Sequence, residues 1–205
     1  MKSIAPKKKA FSRFKVDEAF KQLKLTQLTP WKIDITPIAP TAEFQNHLDR
    51  LQFFDLERSE EGKKLLIDAI LIEAVQPFKQ LKFWKGANLE SKVAHGAADY
   101  LMTEQRRYFE APFLCVVEAK KDDFEQGLAQ CLMEMEACQW SNRNISRDLD
   151  IFGIVTNGEG WKFYKLTLAG TVYETLLYSV SNLDSILGLL RFVFQQCQQN
   201  LVSNN

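Results

Sequence analysis

The stretch PFLCVVEAK, residues 112–120, is the part of the sequence that decides the fold. It is too apolar for a strand with one face in water, so we predict a central strand that is buried on both faces. Side chains alternate along a strand, so Glu118 and Lys120 project from the same face, after Leu114 and Val116. A carboxylate and an ammonium beside an apolar ridge cost free energy unless they pair with each other or bind something. This strand end is therefore the first candidate for a functional site.

The pattern on both sides of this strand predicts a mixed α/β sheet that is flanked by helices. Ser59 is the predicted N-cap of a long, well-buried helix, and Ser181 with Asp184 is a predicted capping pair. The predicted helices cover residues 16–24, 42–53, 59–78, 122–140 and 181–199. The other predicted strands cover residues 81–85, 89–95, 96–103, 149–157, 161–166 and 171–180.

Composition places the chain among ordinary globular proteins. It has 205 residues, of which 46% are hydrophobic and 25% are charged, and these values predict one globular domain of ordinary size. No apolar run approaches the roughly 20 residues of a membrane span, so we expect no membrane partner and a cytoplasmic location. The four cysteines form no C-x-x-C pair and are expected to be buried thiols. Only two histidines are present, which argues against a structural zinc site.

Charge is distributed unevenly along the chain. Residues 1–32 contain nine basic and two acidic side chains, although the whole chain has no net charge. We therefore divide the chain into a basic N-terminal arm with a short helix and a Pro-rich connector, residues 1–41, and a main domain, residues 42–205. Residues 1–15 are expected to be a mobile tail. A basic arm on an acidic body is compatible with contact to nucleic acid, and a solvated tail is the alternative.

A second carboxylate interrupts a neighbouring apolar strand. In the stretch GAADYL, Asp99 is the single charged residue. If the two strands are neighbours, Asp99 and Glu118 converge on one hard cation. Mg²⁺ takes one or two protein carboxylates and completes its shell with water and phosphate oxygens. With Lys120 alongside to orient the attacking water, these residues are a minimal set for metal-assisted phosphodiester hydrolysis.

The order of these motifs resembles the PD-(D/E)XK nuclease superfamily, which has the restriction-endonuclease-like fold. The chain is most similar to the nuclease module of type I restriction enzyme R subunits. The similarity covers roughly residues 59–166 and rests on four motifs. They are SEEGKKLLID (59–68), GAADY (96–100), VVEAKK (116–121) and TNGEGW (156–161).

The resemblance implies a role for each matching residue. Asp99 and Glu118 match the metal-binding carboxylates of the family, and Lys120 matches its catalytic lysine. Gln130, on the following helix, matches a glutamine that often lies beside the site. Ala98 stands where the family name has a proline, and many members of the family also lack that proline.

The family also has an acidic residue on its first helix, and three residues are candidates for it here. Glu61 fits the type I pattern best, with Glu60 and Glu73 as rivals. On a helical wheel Glu73 lies among apolar positions, so a partner or a metal is plausible there too.

Each of these assignments has a structural alternative. Glu118 and Lys120 would then be a simple ion pair at a strand end. Gln126, Gln130 and Glu134 lie at helical spacing and would form a solvent-exposed face.

The resemblance implies Mg²⁺-dependent hydrolysis of phosphodiester bonds in DNA, with Mn²⁺ as an accepted substitute. RNA or a branched nucleic acid is the alternative substrate, and a homodimer is left open. The competing hypothesis is a catalytically silent nuclease-like fold that binds nucleic acid or protein.

Overall fold

A computed structural model describes residues 8–120 and 123–202. Within these residues a nine-stranded mixed sheet is flanked by five α-helices, which confirms the predicted mixed α/β class. The helices are α1 (Val16–Leu23), α2 (Ala42–Leu51), α3 (Glu60–Val75), α4 (Phe124–Asn144) and α5 (Leu183–Val202). The strands are β1 (Lys9–Ala10), β2 (Thr29–Pro30), β3 (Leu81–Glu90), β4 (Ala94–Glu104), β5 (Phe113–Ala119), β6 (Ile151–Thr156), β7 (Gly160–Leu166), β8 (Val172–Glu174) and β9 (Tyr178–Ser179).

Strand β5 lies in the middle of the sheet, as predicted. It pairs with β4 antiparallel and with β6 parallel, and each of its seven residues is buried. Strand β6 continues into the β6–β7 hairpin, and β3 forms an antiparallel pair along β4. The apolar run before Glu118 therefore forms the buried length of β5 and places that carboxylate at the strand end.

Helices cover both faces of the sheet around β5. Helix α4 packs across β5 and β6, and α1 packs on α4. Helices α3 and α5 pack against each other and also contact β5. Gly153 of β6 allows α4 to lie close, because an added Cβ atom would stand 2.6 Å from Cys131 Sγ and 2.7 Å from Met135 Sδ. The four cysteines are buried and free, as expected.

Two predicted strand boundaries are wrong. The predicted strand over 89–95 is interrupted after Glu90, because Ser91 forms a turn in which its backbone N–H donates to Ala94 O (2.8 Å). Its two halves instead belong to the long strands β3 and β4. The predicted strand over 171–180 is divided into β8 and β9. At the intervening turn the Thr175 hydroxyl accepts from Phe163 N (3.1 Å) and donates to Leu176 O (2.8 Å).

The helix starts are predicted with mixed success. Ser59 caps α3 as predicted, since its hydroxyl accepts from Gly62 N (2.9 Å). Ser181 instead lies in a 3₁₀ turn, and its hydroxyl donates to Ser179 Oγ (2.9 Å). The last helix therefore begins two residues later than its predicted cap, at Leu183.

The N-terminal segment packs on the sheet from residue 8 onward. Strand β1 pairs with β4, and Phe11 and Phe14 are 1% and 6% exposed. The expectation of a mobile tail is therefore wrong for residues 8–15, because these two aromatic side chains anchor the segment in the core. Residues 1–7, with the predicted arm's Lys2 and Lys7, lie outside the described residues. Nowhere in the described ranges is a helix both long and apolar enough to cross a membrane.

Candidate active site at the end of strand β5

The structure brings Asp99 and Glu118 together on adjacent strands. Tyr100 of β4 pairs with Val117 of β5, so the next step along the ladder places Asp99 opposite Glu118. The backbone fixes this arrangement further, since Ala119 N donates to Asp99 Oδ2 (2.9 Å). The Glu118 side chain is 1% exposed, whereas that of Asp99 is 22% exposed. The two carboxylates therefore meet at the point where the buried strand reaches solvent.

Lys120 lies beside Glu118 and reaches toward helix α4. Its Nζ is 2.6 Å from Glu118 Oε1 and donates to Gln130 Oε1 at 3.0 Å. An ammonium has three N–H donors, so one remains for a further acceptor, and the side chain is 23% exposed. Gly127 of α4 lets the helix approach this lysine, because an added Cβ would lie 3.1 Å from Lys120 Cγ and 2.6 Å from Val155 Cγ1.

A second lysine, which the sequence analysis missed, approaches Asp99 from helix α3. Lys64 Nζ is 3.1 Å from Asp99 Oδ1 and 2.8 Å from Glu60 Oε1. Burial opposes the charged form, but the contacts with Glu60 and Asp99 hold the pKa of Lys64 above its ordinary value. The motif SEEGKK contains this residue at the third position after Glu61, one helical turn further on, and that spacing was the available signal.

The three candidates for the helix acid have different surroundings. Glu61 is exposed, with a side-chain exposure of 88%, and lies 3.8 Å from Lys64 Nζ. Glu60 is connected to the site through Lys64, because its Oε1 lies 2.8 Å from Lys64 Nζ. Glu73 lies more than three turns along the helix, at the junction with α2. There its carboxylate accepts from Thr41 N (3.1 Å) and Thr41 Oγ1 (3.3 Å), so it holds the start of α2.

Helix α4 contributes two buried polar residues, and one of them was not predicted as part of the site. Gln130 is 6% exposed and Glu134 is 0% exposed, so the alternative of a solvent-exposed face is wrong for both. Gln130 Nε2 donates to Glu134 Oε1 (3.1 Å). The apolar residues on both sides of Glu134 in the sequence (CLMEMEAC) were a signal that this carboxylate is buried.

Burial dominates the electrostatics of these side chains. Burial, with the negative charge of Asp99, raises the pKa of Glu118 to about 7, although Lys120 opposes the rise. Burial, with the charge of Glu118, raises the pKa of Glu134 well above its usual range. For Lys120 burial works against the charged form, but the neighbouring Glu118 raises its pKa.

Two buried oxygens of this cluster are unsatisfied. Within residues 8–120 and 123–202, no hydrogen-bond partner reaches Glu118 Oε2 or Glu134 Oε2. Buried polar atoms are nearly always satisfied in proteins. A proton shared by the two carboxyls or a bound cation would satisfy these oxygens.

The β6–β7 hairpin lies on the α3 side of the candidate site. Asn157 Oδ1 accepts from Gly160 N (2.7 Å), and Trp161 Nε1 donates to Gly158 O (3.0 Å). Gly158 has φ +88°, and an added Cβ would lie 3.8 Å from Lys63 O in the first turns of α3. The motif TNGEGW thus forms the turn of the hairpin and fixes it beside the helix that carries Lys64.

Two carboxylates at the end of β5 are a donor set that Mg²⁺ accepts. In the described part of the chain, no three His, Cys, Asp or Glu side chains are grouped so that they could hold a metal. Mg²⁺ needs only one or two carboxylates, with waters and phosphate oxygens for the rest. Asp99 and Glu118 meet that requirement, and the unsatisfied Glu118 Oε2 is a free oxygen ligand. Lys121, the last residue of the VVEAKK motif, lies outside the described residues.

Comparison with known proteins gives one partial similarity. The chain is similar to Crinkler effector protein 5 of Phytophthora infestans, with 42% identity over 50 residues, which is 24% of this chain. The chain spans only 13% of the length of that relative. No family model matches the chain.

Proposed function

We propose that the protein is a Mg²⁺-dependent nuclease that hydrolyses phosphodiester bonds in DNA. The observation that carries this proposal is the meeting of Asp99 and Glu118 at the end of a buried strand, with the Lys120 ammonium 2.6 Å from Glu118. Carboxylates and an ammonium in this arrangement suit a metal ion and a phosphate group together.

We also propose that the sheet is a restriction-endonuclease-like fold of the PD-(D/E)XK type. Support comes from the order of the elements around the site. Helix α3, the hairpin of β3 and β4, the central strand β5 and helix α4 follow one another along the chain. Asp99 lies on β4, Glu118 on β5 and Gln130 on α4, with Lys120 directly after β5, and this order supports the proposal.

Each residue has a distinct role in the proposed reaction. Asp99 and Glu118 hold the Mg²⁺ ion, which supplies Lewis-acid polarisation of the phosphate and a more acidic bound water. Glu118 raises the pKa of Lys120 despite the opposing effect of burial, so this lysine is a cation at neutral pH. We assign it the positioning of the attacking water and the neutralisation of charge that develops on the phosphate. Lys64 adds a second positive charge on the other side of Asp99.

The proposal is tested by incubating the protein with supercoiled plasmid, single-stranded DNA, RNA and branched DNA in Mg²⁺ or Mn²⁺. We expect cleavage of DNA that EDTA abolishes and that the variants Lys120→Ala and Asp99→Ala lack. Glu73→Gln is the matched control, since it changes a buried carboxylate of the same domain that lies away from the cluster. Equal cleavage by wild type and Lys120→Ala would overturn the assignment of Lys120 to the active site. Cleavage of RNA alone would show that RNA, and not DNA, is the substrate.

A second candidate function is a silent fold that binds nucleic acid or protein. The observation that favours it is the pairing of each carboxylate with a lysine, Asp99 with Lys64 and Glu118 with Lys120. Such pairs are neutral without a metal. DNA binding that requires no divalent ion and is unchanged in Glu118→Gln, with no cleavage of any substrate, would support this candidate.

A further inference from the structure

Glu134 is a carboxyl group in a part of the core where an apolar residue would be expected. It lies on the face of α4 that packs against β5 and is 0% exposed. Its neighbours on the same helix include Cys131 and Cys138, which are also fully buried. Burying a carboxyl group costs free energy unless its partners compensate for the lost water. A leucine or methionine here would bury no polar group, so the carboxyl needs another explanation.

Two polar side chains face Glu134: the carboxyl of Glu118, and Gln130, which connects Glu134 to Lys120. Gln130 Nε2 donates to Glu134 Oε1 at 3.1 Å, and Gln130 Oε1 accepts from Lys120 Nζ at 3.0 Å. Lys120 Nζ in turn contacts Glu118 Oε1 at 2.6 Å. The three side chains of Glu134, Gln130 and Lys120 thus form a continuous chain from the core to the strand end.

The acceptor at position 134 fixes which end of the Gln130 amide faces the lysine. A glutamine amide has one acceptor oxygen and one donor nitrogen. With the amide reversed, Nε2 would face the Lys120 ammonium and Oε1 would face the Glu134 oxygen, so both contacts would be lost. A buried acceptor at position 134 adds to the preference for the observed orientation, whereas an apolar residue would leave that preference to Lys120 alone.

We propose that Glu134 is a positioning residue that orients Gln130 and, through it, holds the Lys120 ammonium beside Glu118. Its effect on turnover rests on the proposed nuclease function, whereas its effect on the position of Lys120 does not. Held in this way, two of the three N–H donors of Lys120 are engaged. Their directions determine where the third N–H donor points.

The test compares four variants of the full chain. Glu134→Leu removes the acceptor, Glu134→Gln restores an acceptor oxygen without the charge, and Gln130→Leu breaks the chain at its other link. Glu136→Gln is the matched control, since it changes a partly buried glutamate two residues along the same helix. Thermal unfolding establishes that each variant is folded before it is used.

Two readouts separate the positioning role from a general effect on stability. The first is the NMR signal of the Lys120 ammonium. When the N–H donors are engaged, the ammonium protons exchange slowly with water and their chemical shift is displaced. We expect that signal to be lost or moved in Glu134→Leu and in Gln130→Leu, and kept in Glu134→Gln and Glu136→Gln. The second is kcat for DNA cleavage. We expect a fall of about 10- to 100-fold in Glu134→Leu with KM unchanged, and rescue in Glu134→Gln.

The outcomes distinguish this inference from the proposed function. An unchanged Lys120 signal in Glu134→Leu overturns the positioning role. Equal changes in Glu134→Leu and Glu136→Gln overturn it as well. A changed Lys120 signal in a protein that cleaves no substrate supports the positioning role and contradicts the nuclease. If Glu134→Leu does not fold, an unchanged Lys120 signal in Gln130→Leu still overturns the positioning role, because Glu134 acts on Lys120 through Gln130.

Discussion

Two buried carboxylates of this protein, Glu73 and Glu118, differ in what satisfies them. Glu73, at the junction of α2 and α3, is 6% exposed and accepts from the backbone N–H and the hydroxyl of Thr41. Glu118, at the end of β5, is 1% exposed. One of its oxygens contacts Lys120, and the other finds no donor in the described residues. Both carboxylates are equally plausible as site residues from burial alone.

The difference separates a structural carboxylate from a candidate ligand. Glu73 also lines a groove of about 600 Å³ between α2 and α3, so a neighbouring cavity does not identify the functional residue. What distinguishes Glu118 is an unsatisfied oxygen beside a second carboxylate and an ammonium. A buried group that lacks a partner costs free energy, so its presence at this strand end calls for a proton or a cation.

The largest expected effect is on catalysis. Lys120→Ala removes the ammonium that orients water and offsets charge, so we expect kcat for DNA cleavage to fall by roughly 10²–10⁴-fold. Glu73→Gln should cleave at the wild-type rate. Gel assays of plasmid and single-stranded DNA at saturating Mg²⁺ measure both variants. A comparable loss in Glu73→Gln would remove the distinction between the two carboxylates.

The next effect is on stability, where the two sites should respond in opposite ways. Glu73→Ala leaves the start of α2 without its acceptor, so we expect the free energy of unfolding to fall by about 1–3 kcal/mol. Because the pKa of Glu118 is raised to about 7, its ionised form costs stability at pH 8, so Glu118→Gln should leave the stability unchanged or raise it. Urea unfolding followed by circular dichroism measures both. A larger loss in Glu118→Gln than in Glu73→Ala would contradict the comparison.

A smaller effect is expected from Lys64. Its ammonium lies 3.1 Å from Asp99 Oδ1 and competes with a metal ion for that oxygen. Lys64→Met should therefore bind Mn²⁺ more tightly, by about tenfold, which corresponds to about 1.4 kcal/mol. It should also raise KM for DNA, because a positive charge is lost beside the substrate. Weaker Mn²⁺ binding in a folded Lys64→Met variant would show that Lys64 supports the metal site instead.

The smallest effect is the dependence of stability on pH. Burial raises the pKa of Glu118 from 4.5 to about 7, so between these values the folded protein binds more protons than the unfolded chain. The free energy of unfolding must therefore fall as the pH rises through this window. We expect Tm to fall on the order of a few degrees more in wild type than in Glu118→Gln between pH 5 and pH 7.5. Parallel curves would show that Glu118 is ionised throughout.

The sequence predicts the centre of the fold because the signals there are local. A continuous apolar run identifies β5, and strand alternation places Glu118 and Lys120 on one face. Ser59 marks the start of α3 for the same reason, since its capping hydrogen bond to Gly62 spans three residues. At these positions a few neighbouring residues determine the conformation.

The remaining features depend on contacts between distant segments. Lys64 meets Asp99 only after α3 has docked beside β4, and Gln130 meets Lys120 only after α4 has packed over β5. The buried aromatic anchors at Phe11 and Phe14 follow from pairing of β1 with β4. Periodicity describes one element at a time, so it could not distinguish Glu73 from Glu60 as the acid that reaches the site.

Binding of Mn²⁺ by titration calorimetry at pH 8 tests the central claim most directly. The samples are wild type, Glu118→Gln and Glu73→Gln, each shown to be folded. We predict one binding event in wild type and Glu73→Gln, and its loss in Glu118→Gln. Retention of wild-type binding in Glu118→Gln, or its loss in Glu73→Gln, would contradict the assignment of the unsatisfied carboxylate at the end of β5 as the metal ligand.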